Sequence, residues 1–194
     1  MQYSEGRLGR VFVLRIDDGE DFLAVTREFV KNKAVQAGSL LFLGALRQGR
    51  MVTGPESLAI PPEPHYVMFE GGWEMVGMGT ICPGEDGPAI HFHASVGRAG
   101  HALTGCLREK AVTYIVAEVI VLEFTGLDIR RQPDEKTGLA LPVHGTAGGT
   151  GQHPSLSAVP GATPGEPVPE EKEDEDTPGG LAEIIRDLTR RPRT

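Results

Sequence analysis

The stretch from His91 to Cys106 constrains the fold more than any other part of the chain, because its pattern is typical of a β-hairpin. Two glycines, Gly97 and Gly100, bracket a tight turn. Before the turn, apolar and polar side chains alternate, which places them on opposite faces of a strand. One face carries Ile90, Phe92, Ala94 and Val96, and the other carries His91, His93 and Ser95.

The same hairpin predicts a metal site. With residues 98–99 as the two-residue loop, Cys106 pairs with His91, and residues that pair across antiparallel strands share a face. His91, His93 and Cys106 then project from one patch, and imidazole and thiolate are ligands that zinc and related divalent metals prefer. Two alternatives stay open. The histidines are a solvated strand face beside a core cysteine, or another register makes His101 the third ligand in place of Cys106.

Hydrophobic patterning along the rest of the domain predicts one helix and several strands. Apolar residues recur at helical spacing over residues 20–32. Strand-like runs rich in apolar and β-branched residues cover residues 8–16, 38–46, 66–70, 73–82 and 111–125. The predicted fold class is therefore α+β, a mostly antiparallel sheet with one helix packed on it.

Three segments of the chain resemble parts of a known domain family: Arg15–Asp21 before the helix, Gly44–Leu46 in a middle strand, and the His-x-His hairpin followed by a long apolar strand. With these segments, the run from Val11 to Phe124 resembles the plants and prokaryotes conserved (PPC) domain. In many prokaryotic members, the hairpin carries His-x-His and then Gly-His-Leu, and these three histidines form a metal site. Here the third position reads Gly105-Cys106-Leu107. The resemblance thus implies a site in which Cys106 replaces a histidine, and it also implies a homotrimer.

Two classes of function compete for such a domain. The resemblance implies DNA binding or a regulatory role, and plant members carry a separate AT-hook with an Arg-Gly-Arg-Pro core. The nearest segment here, Arg190–Arg193, lacks that glycine. Residues 1–126 also carry 11 Lys and Arg against 15 Asp and Glu, so DNA binding is expected to be weak. The alternative is a zinc-dependent lyase or hydrolase acting on a small carbonyl compound or hydroxy acid, because prokaryotic metal-binding members resemble acetolactate decarboxylases.

Two carboxylates are candidates for proton transfer in such an enzyme. Glu118 lies in the long apolar strand on a face that it shares with apolar neighbours, so its carboxylate is predicted to be buried. A buried carboxylate needs a cation, a metal or a proton. The structural alternative is an ion pair with Arg108 or Arg15. Glu70 is the second catalytic candidate.

The chain changes character after residue 128. The predicted PPC-like domain covers residues 1–128, and residues 129–194 are predicted to be a disordered, acidic tail. Residues 133–180 contain 8 prolines and 9 glycines in 48 positions, which is more than a packed domain carries. Helical spacing of apolar residues predicts a short helix over 180–191, which is expected either to fray or to dock on a partner protein.

Charge and cysteine content indicate the compartment. The net charge of −8 favours solubility and discourages non-specific attraction to anionic lipid. Two cysteines are too few for a disulfide framework and suit a reducing compartment. With no signal peptide or membrane-spanning run visible in the sequence, the prediction is a soluble cytoplasmic protein.

Overall fold

The computed structural model describes residues 1–145 of the chain. Within this part, one helix and seven strands follow one another, and the predicted α+β class is confirmed. They are β1 (Arg7–Asp17), α1 (Phe22–Asn32), β2 (Gly38–Pro55), β3 (Pro64–Gly84), β4 (Gly87–Arg98), β5 (His101–Thr125), β6 (Ile129–Asp134) and β7 (Leu139–His144).

Five strands form one antiparallel sheet in the order β1-β5-β2-β3-β4. Strand β5 is 25 residues long, and it pairs with β4 at its start and with β2 and β1 further along. The β4–β5 pairing closes β2, β3, β4 and β5 into a ring. Strands β6 and β7 form a separate hairpin, and β6 lies against β3.

Helix α1 covers one face of this sheet, which we call the inner face. The helix begins after Asp21, whose carboxylate accepts hydrogen bonds from two backbone N–H groups of the first turn. The Phe22 ring lies 4.9 Å from the Phe42 ring and 5.8 Å from the Phe92 ring, measured between centroids. These three aromatic side chains are buried and join the helix to β2 and β4 in one hydrophobic core.

The opposite face of the sheet, which we call the outer face, is apolar and exposed. Its register places Val13, Ile120, Leu41 and Met78 side by side across four strands. Large apolar side chains on this face are between 40% and 76% exposed: Val13, Leu41, Leu43, Val76, Met78 and Ile120. The strands therefore carry apolar residues on both faces, although only one face is covered within the chain.

The burial predicted for Glu118 is wrong. Its side chain is exposed because it lies on the outer face of β5, whereas Ala117 and Val119 point to the inner face. Arg15 of β1 stands in register with Glu118, as one of the predicted ion pairs requires. The Arg15 guanidinium instead pairs with Asp17 of its own strand, at 2.9 Å from Nε to Oδ1.

The strands are longer than local patterning predicts. Strand β3 runs without a break through Gly71 and Gly72, where the sequence suggested a junction between two strands. Gly71 has a φ of 86°, and glycine tolerates this left-handed conformation. Strand β2 likewise continues nine residues beyond the predicted end at Leu46, as far as Pro55.

Residues 129–144 form the β6–β7 hairpin, where the sequence predicted the start of a disordered tail. Gly138, with a φ of 68°, lies in the turn between the two strands. The remainder of the predicted tail and the helix predicted over 180–191 lie outside the described residues. Across residues 1–145, no helix is long and apolar enough to cross a membrane.

Candidate metal centre

The hairpin that carries the histidines turns one residue later than predicted. Strand β4 ends at Arg98 and β5 begins at His101, so Ala99 and Gly100 are the loop residues, with φ values of 49° and 82°. Two central residues in the left-handed region are typical of a type I′ turn, whose twist matches the flanking strands. Cys106 consequently pairs with His93 rather than with His91.

This change of register leaves the predicted faces intact. Moving the loop by one residue moves each cross-strand partner by two, and side-chain direction in a strand repeats every two residues. His91, His93 and Cys106 therefore share the outer face, as the sequence predicted. His101 stands in register with Arg98, at the end of the strand and on the other face.

The three side chains converge closely. The Cys106 Sγ atom lies 3.1 Å from His91 Nε2 and 2.8 Å from His93 Nε2. The two imidazole rings meet edge to face with centroids 4.9 Å apart. All three donor atoms lie within 4.8 Å of one another, with His91 and Cys106 partly buried and His93 exposed.

The donor set fits zinc in chemistry and nearly in spacing. Two imidazole nitrogens and one sulfur are a set that zinc binds, and tetrahedral zinc separates such nitrogen and sulfur donors by about 3.5 Å. The observed nitrogen–sulfur distances of 3.1 and 2.8 Å are shorter. The sulfur and the two nitrogens would therefore move apart by about 0.4 Å and about 0.7 Å, which small side-chain rotations supply.

The surroundings of His91 favour the neutral form of its ring, which is the form that binds a metal. Burial, together with smaller contributions from the charges of His93, Arg131 and Arg108, lowers the pKa of His91 to about 4. The His91 ring is therefore neutral at neutral pH. Burial raises the pKa of the Cys106 thiol, while the Arg108 charge acts in the opposite direction. Metal binding would accordingly release a proton from this sulfur.

Sequence reasoning missed one residue beside the cluster. Arg131 of β6 reaches the site, and its Nη2 lies 3.3 Å from Thr80 Oγ1. Thr80 stands in register with His91 on the neighbouring strand. The alternation of Leu139, Leu141 and Val143 after a glycine turn was the available signal for the hairpin that holds Arg131.

The two carboxylate candidates lie away from the cluster. Glu118 of β5 and Ser95 of β4 lie in one row of paired residues, with β2 and β3 between them. At ordinary strand spacing, this row separates the two residues by about 14 Å. Glu70 is exposed and precedes Thr80 by ten residues on β3, which is about 33 Å along an extended strand. Neither carboxylate is placed to contact the three donor atoms directly.

A closed antiparallel sheet, one helix and a His-x-His strand paired with a cysteine strand together define a recognisable class of domain. The family model of the Plants and Prokaryotes Conserved (PCC) domain, written PPC above, matches residues 3–125. The chain therefore belongs to this family.

Known structures share the architecture. A metal-containing protein from Archaeoglobus fulgidus is 27% identical, with a TM-score of 0.66, and the match covers 74% of this chain and 100% of that one. A plant- and prokaryote-conserved (PPC) protein from Pyrococcus horikoshii is 26% identical, with a TM-score of 0.61, covering 73% of this chain and 96% of that one.

One curated relative is much longer than this chain. The "Bifunctional protein GlmU" of Synechococcus sp. (strain JA-3-3Ab) is 31% identical over 131 residues, which are 66% of this chain and 20% of that protein. The chain thus spans about a fifth of the length of the relative that it matches.

Proposed function

We propose that the protein binds one divalent metal ion, zinc, through His91, His93 and Cys106. The observation that carries this proposal is the convergence of three donor atoms within 4.8 Å on one face of the sheet. Cys106 is a free thiol, so it is available as a thiolate ligand. Free thiols are typical of a reducing compartment such as the cytoplasm. The metal-containing relative supports the proposal. When bound by three protein ligands, zinc supplies a Lewis acid with a fourth position for a ligand.

Metal content of purified variants tests this assignment. Loss of one ligand from a three-ligand site should abolish tight binding, so His91→Ala is expected to lose the metal. Cys106→His should retain it, because imidazole is also a zinc ligand and histidine occupies this place in the family pattern. His101→Ala is the matched control, because this histidine belongs to the same hairpin but points to the other face. Native mass spectrometry and elemental analysis give the stoichiometry.

Two results would contradict the ligand set. A metal that is lost from His101→Ala but kept in Cys106→Ser would make His101 the third ligand. Wild-type protein that takes up no zinc would leave the three side chains as a hydrogen-bonded cluster on a solvated strand.

We also propose that the outer face joins copies of this chain, as a homotrimer. Six large apolar side chains lie on this face at 40% to 76% exposure, and contiguous exposed apolar surface is typical of interaction sites. Self-association would cover this face, and the trimer follows from the family resemblance. Glu118 and Arg15, in register across β1 and β5, would then lie within the contact.

Sedimentation velocity tests the trimer. Leu43→Glu places a charge in the outer face and is expected to shift the protein to monomer without unfolding it. The control is Leu58→Glu, which changes a leucine that is 99% exposed between β2 and β3. A wild-type monomer at tens of micromolar, or an equal effect of both variants, would refute this interface.

For DNA we propose only weak, salt-sensitive contact without sequence preference. The acidic balance of residues 1–126 opposes attraction to phosphates. Gel-shift titration at physiological salt tests this, and tight binding of one duplex over another would overturn it. Chemistry on a small carbonyl compound or hydroxy acid is the alternative role. It is favoured by the guanidinium groups of Arg108 and Arg131, whose charges reach His91.

A further inference from the structure

The β6–β7 hairpin brings a cation to the candidate metal centre from outside the family domain. The family model ends at residue 125, and the hairpin covers residues 129–144. Strand β6 lies against β3, the strand on which Thr80 stands in register with His91. Arg131 is the β6 residue that donates a hydrogen bond to Thr80. Arg131 therefore reaches the site from a segment beyond the residues that the family model matches.

Arg131 is held by neutral groups only. Its Nη1 donates to the carbonyl oxygen of Ala140 at 2.8 Å, and its Nη2 donates to Thr80 Oγ1 at 3.3 Å. The Nε atom is buried and has no hydrogen-bond partner. A guanidinium carries five N–H donors, so three are left without a protein acceptor. Within residues 1–145, no carboxylate forms an ion pair with Arg131.

The position of Arg131 relative to His91 follows from the sheet. Thr80 and His91 are cross-strand partners on one face, whose Cβ atoms lie about 5 Å apart in such pairs. The guanidinium that bonds to Thr80 is thus a near neighbour of the His91 ring, and its charge lowers the pKa of that ring. Arg108, two residues beyond Cys106 on the same strand, acts on the other side of the cluster.

The charge of this region is unbalanced. A divalent ion with one thiolate and two neutral imidazoles keeps one positive charge, and Arg131 and Arg108 add two more. The donor cluster includes no Asp or Glu among the described residues. A partly buried guanidinium without a counter-charge is costly, and the cost is removed when an anion binds beside it.

We propose that Arg131 binds the oxyanion of a small molecule, a carboxylate or a phosphate, while another oxygen of that molecule faces the metal. The assignment rests on the metal binding proposed above and specifies the ligand class of the same site. Thr80 accepts a hydrogen bond from Arg131 through its hydroxyl oxygen, which leaves its own O–H to donate to the oxyanion. The β6–β7 hairpin would then determine which ligands this member of the family accepts.

Isothermal titration calorimetry of the full chain, with zinc content measured on each sample, tests this inference. Glycolate and inorganic phosphate are the probes, and their relative affinities distinguish a carboxylate site from a phosphate site. Arg131→Gln should weaken the better probe by about tenfold or more, because a charge-assisted hydrogen bond is lost. Its zinc content should equal that of the wild type. Thr80→Val, which keeps the β-branched shape, should weaken the same probe less.

Arg130→Gln is the matched control. Arg130 is the exposed neighbour of Arg131 on the same strand, so its side chain points to the opposite side of β6. The affinity of this variant should stay within about twofold of the wild type, because isolated exposed charges contribute little. Equal losses in both arginine variants would indicate general attraction to positive charge and would overturn the assignment.

The failure of each proposal has its own signature. If zinc-loaded wild type and zinc-loaded Arg131→Gln bind each probe with the same affinity, the Arg131 site is refuted and metal binding stands. Wild type without zinc would refute the proposed metal function. The same titration on metal-free protein then decides the anion site, which stands if weak binding depends on Arg131 and fails if it does not.

Discussion

Both faces of the sheet carry large apolar side chains, but the surroundings of those side chains differ. On the inner face, Phe42 and Phe92 are 4% and 1% exposed beneath helix α1. On the outer face, Leu43 and Val76 are 53% and 60% exposed. The outer face also carries the three donor atoms of the candidate metal centre.

This difference separates stability from function. The inner face stabilises the fold, because burying apolar surface is the main favourable term in folding. The outer face leaves similar side chains uncovered, so its composition requires another explanation. Assembly of several copies and binding of a metal are the explanations proposed here.

The largest expected effect comes from removing a large apolar side chain from the inner face. Phe92→Ala removes a ring that contacts Phe22 and Phe42, and it should lower the free energy of unfolding by about 3–5 kcal/mol. Val76→Ala, on the outer face, should cost less than about 1 kcal/mol in the monomer. Urea denaturation at a protein concentration where only monomer sediments measures both. Equal losses would show that the outer face is covered within a single chain.

A smaller effect on stability is expected from adding a Cβ atom at a glycine, because the free space around the glycine differs between the two faces. A Cβ atom at Gly77 would meet the Phe42 ring and the backbone oxygen of His93, so Gly77→Ala should destabilise the protein by about 1–3 kcal/mol. At Gly97, the nearest atom to a new Cβ is His101 O at 3.8 Å. Gly97→Ala should therefore be neutral or slightly stabilising. Thermal unfolding of the two variants makes the comparison, and an equal loss in both would show that space around the glycine is not decisive.

Local periodicity was sufficient to predict the parts of the fold that depend on neighbouring residues. The helix was expected over residues 20–32 and is observed over Phe22–Asn32. The grouping of His91, His93 and Cys106 on one face was also correct, although the pairing register was wrong. The predicted grouping stayed correct because the error in register moved each cross-strand partner by two residues, and two residues are one full period of a strand.

Non-local packing explains what the sequence did not reveal. Whether the face that carries Glu118 is buried depends on what covers the sheet, and α1 covers only the other face. Arg131 reaches Thr80 from 51 residues further along the chain, out of a region whose proline and glycine content predicted disorder. The local pattern of hydrophobic residues indicates the hairpin at most, and it predicts neither the contact of Arg131 with Thr80 nor which face of the sheet is covered.

The smallest expected effect lies at the rim of the inner face, where Arg10 joins β1 to β5 and to the end of α1. Its Nε and Nη2 lie 2.6 Å from the two carboxylate oxygens of Glu123, and Nη2 also donates to the carbonyl oxygen of Lys33 at 2.9 Å. The Glu123 side chain is 13% exposed, and that of Arg10 is 51% exposed. Solvent therefore screens part of this bidentate pair.

Titration of unfolding stability against pH separates the charge of this pair from its packing. Hydrogen bonds from Arg10 lower the pKa of Glu123 to about 2, below the value of about 4.3 in the unfolded chain. The unfolded state therefore takes up the proton first, and the stabilisation, complete above about pH 4.3, is lost as the pH falls toward 2. Glu123→Gln should cost about 1 kcal/mol at pH 7, and this difference should shrink to near zero by pH 2. Glu85→Gln, at an exposed turn between β3 and β4, should show no such trend. A Glu123→Gln difference that stayed constant from pH 7 to pH 2 would mean that shape and hydrogen bonding, rather than charge, hold this rim together.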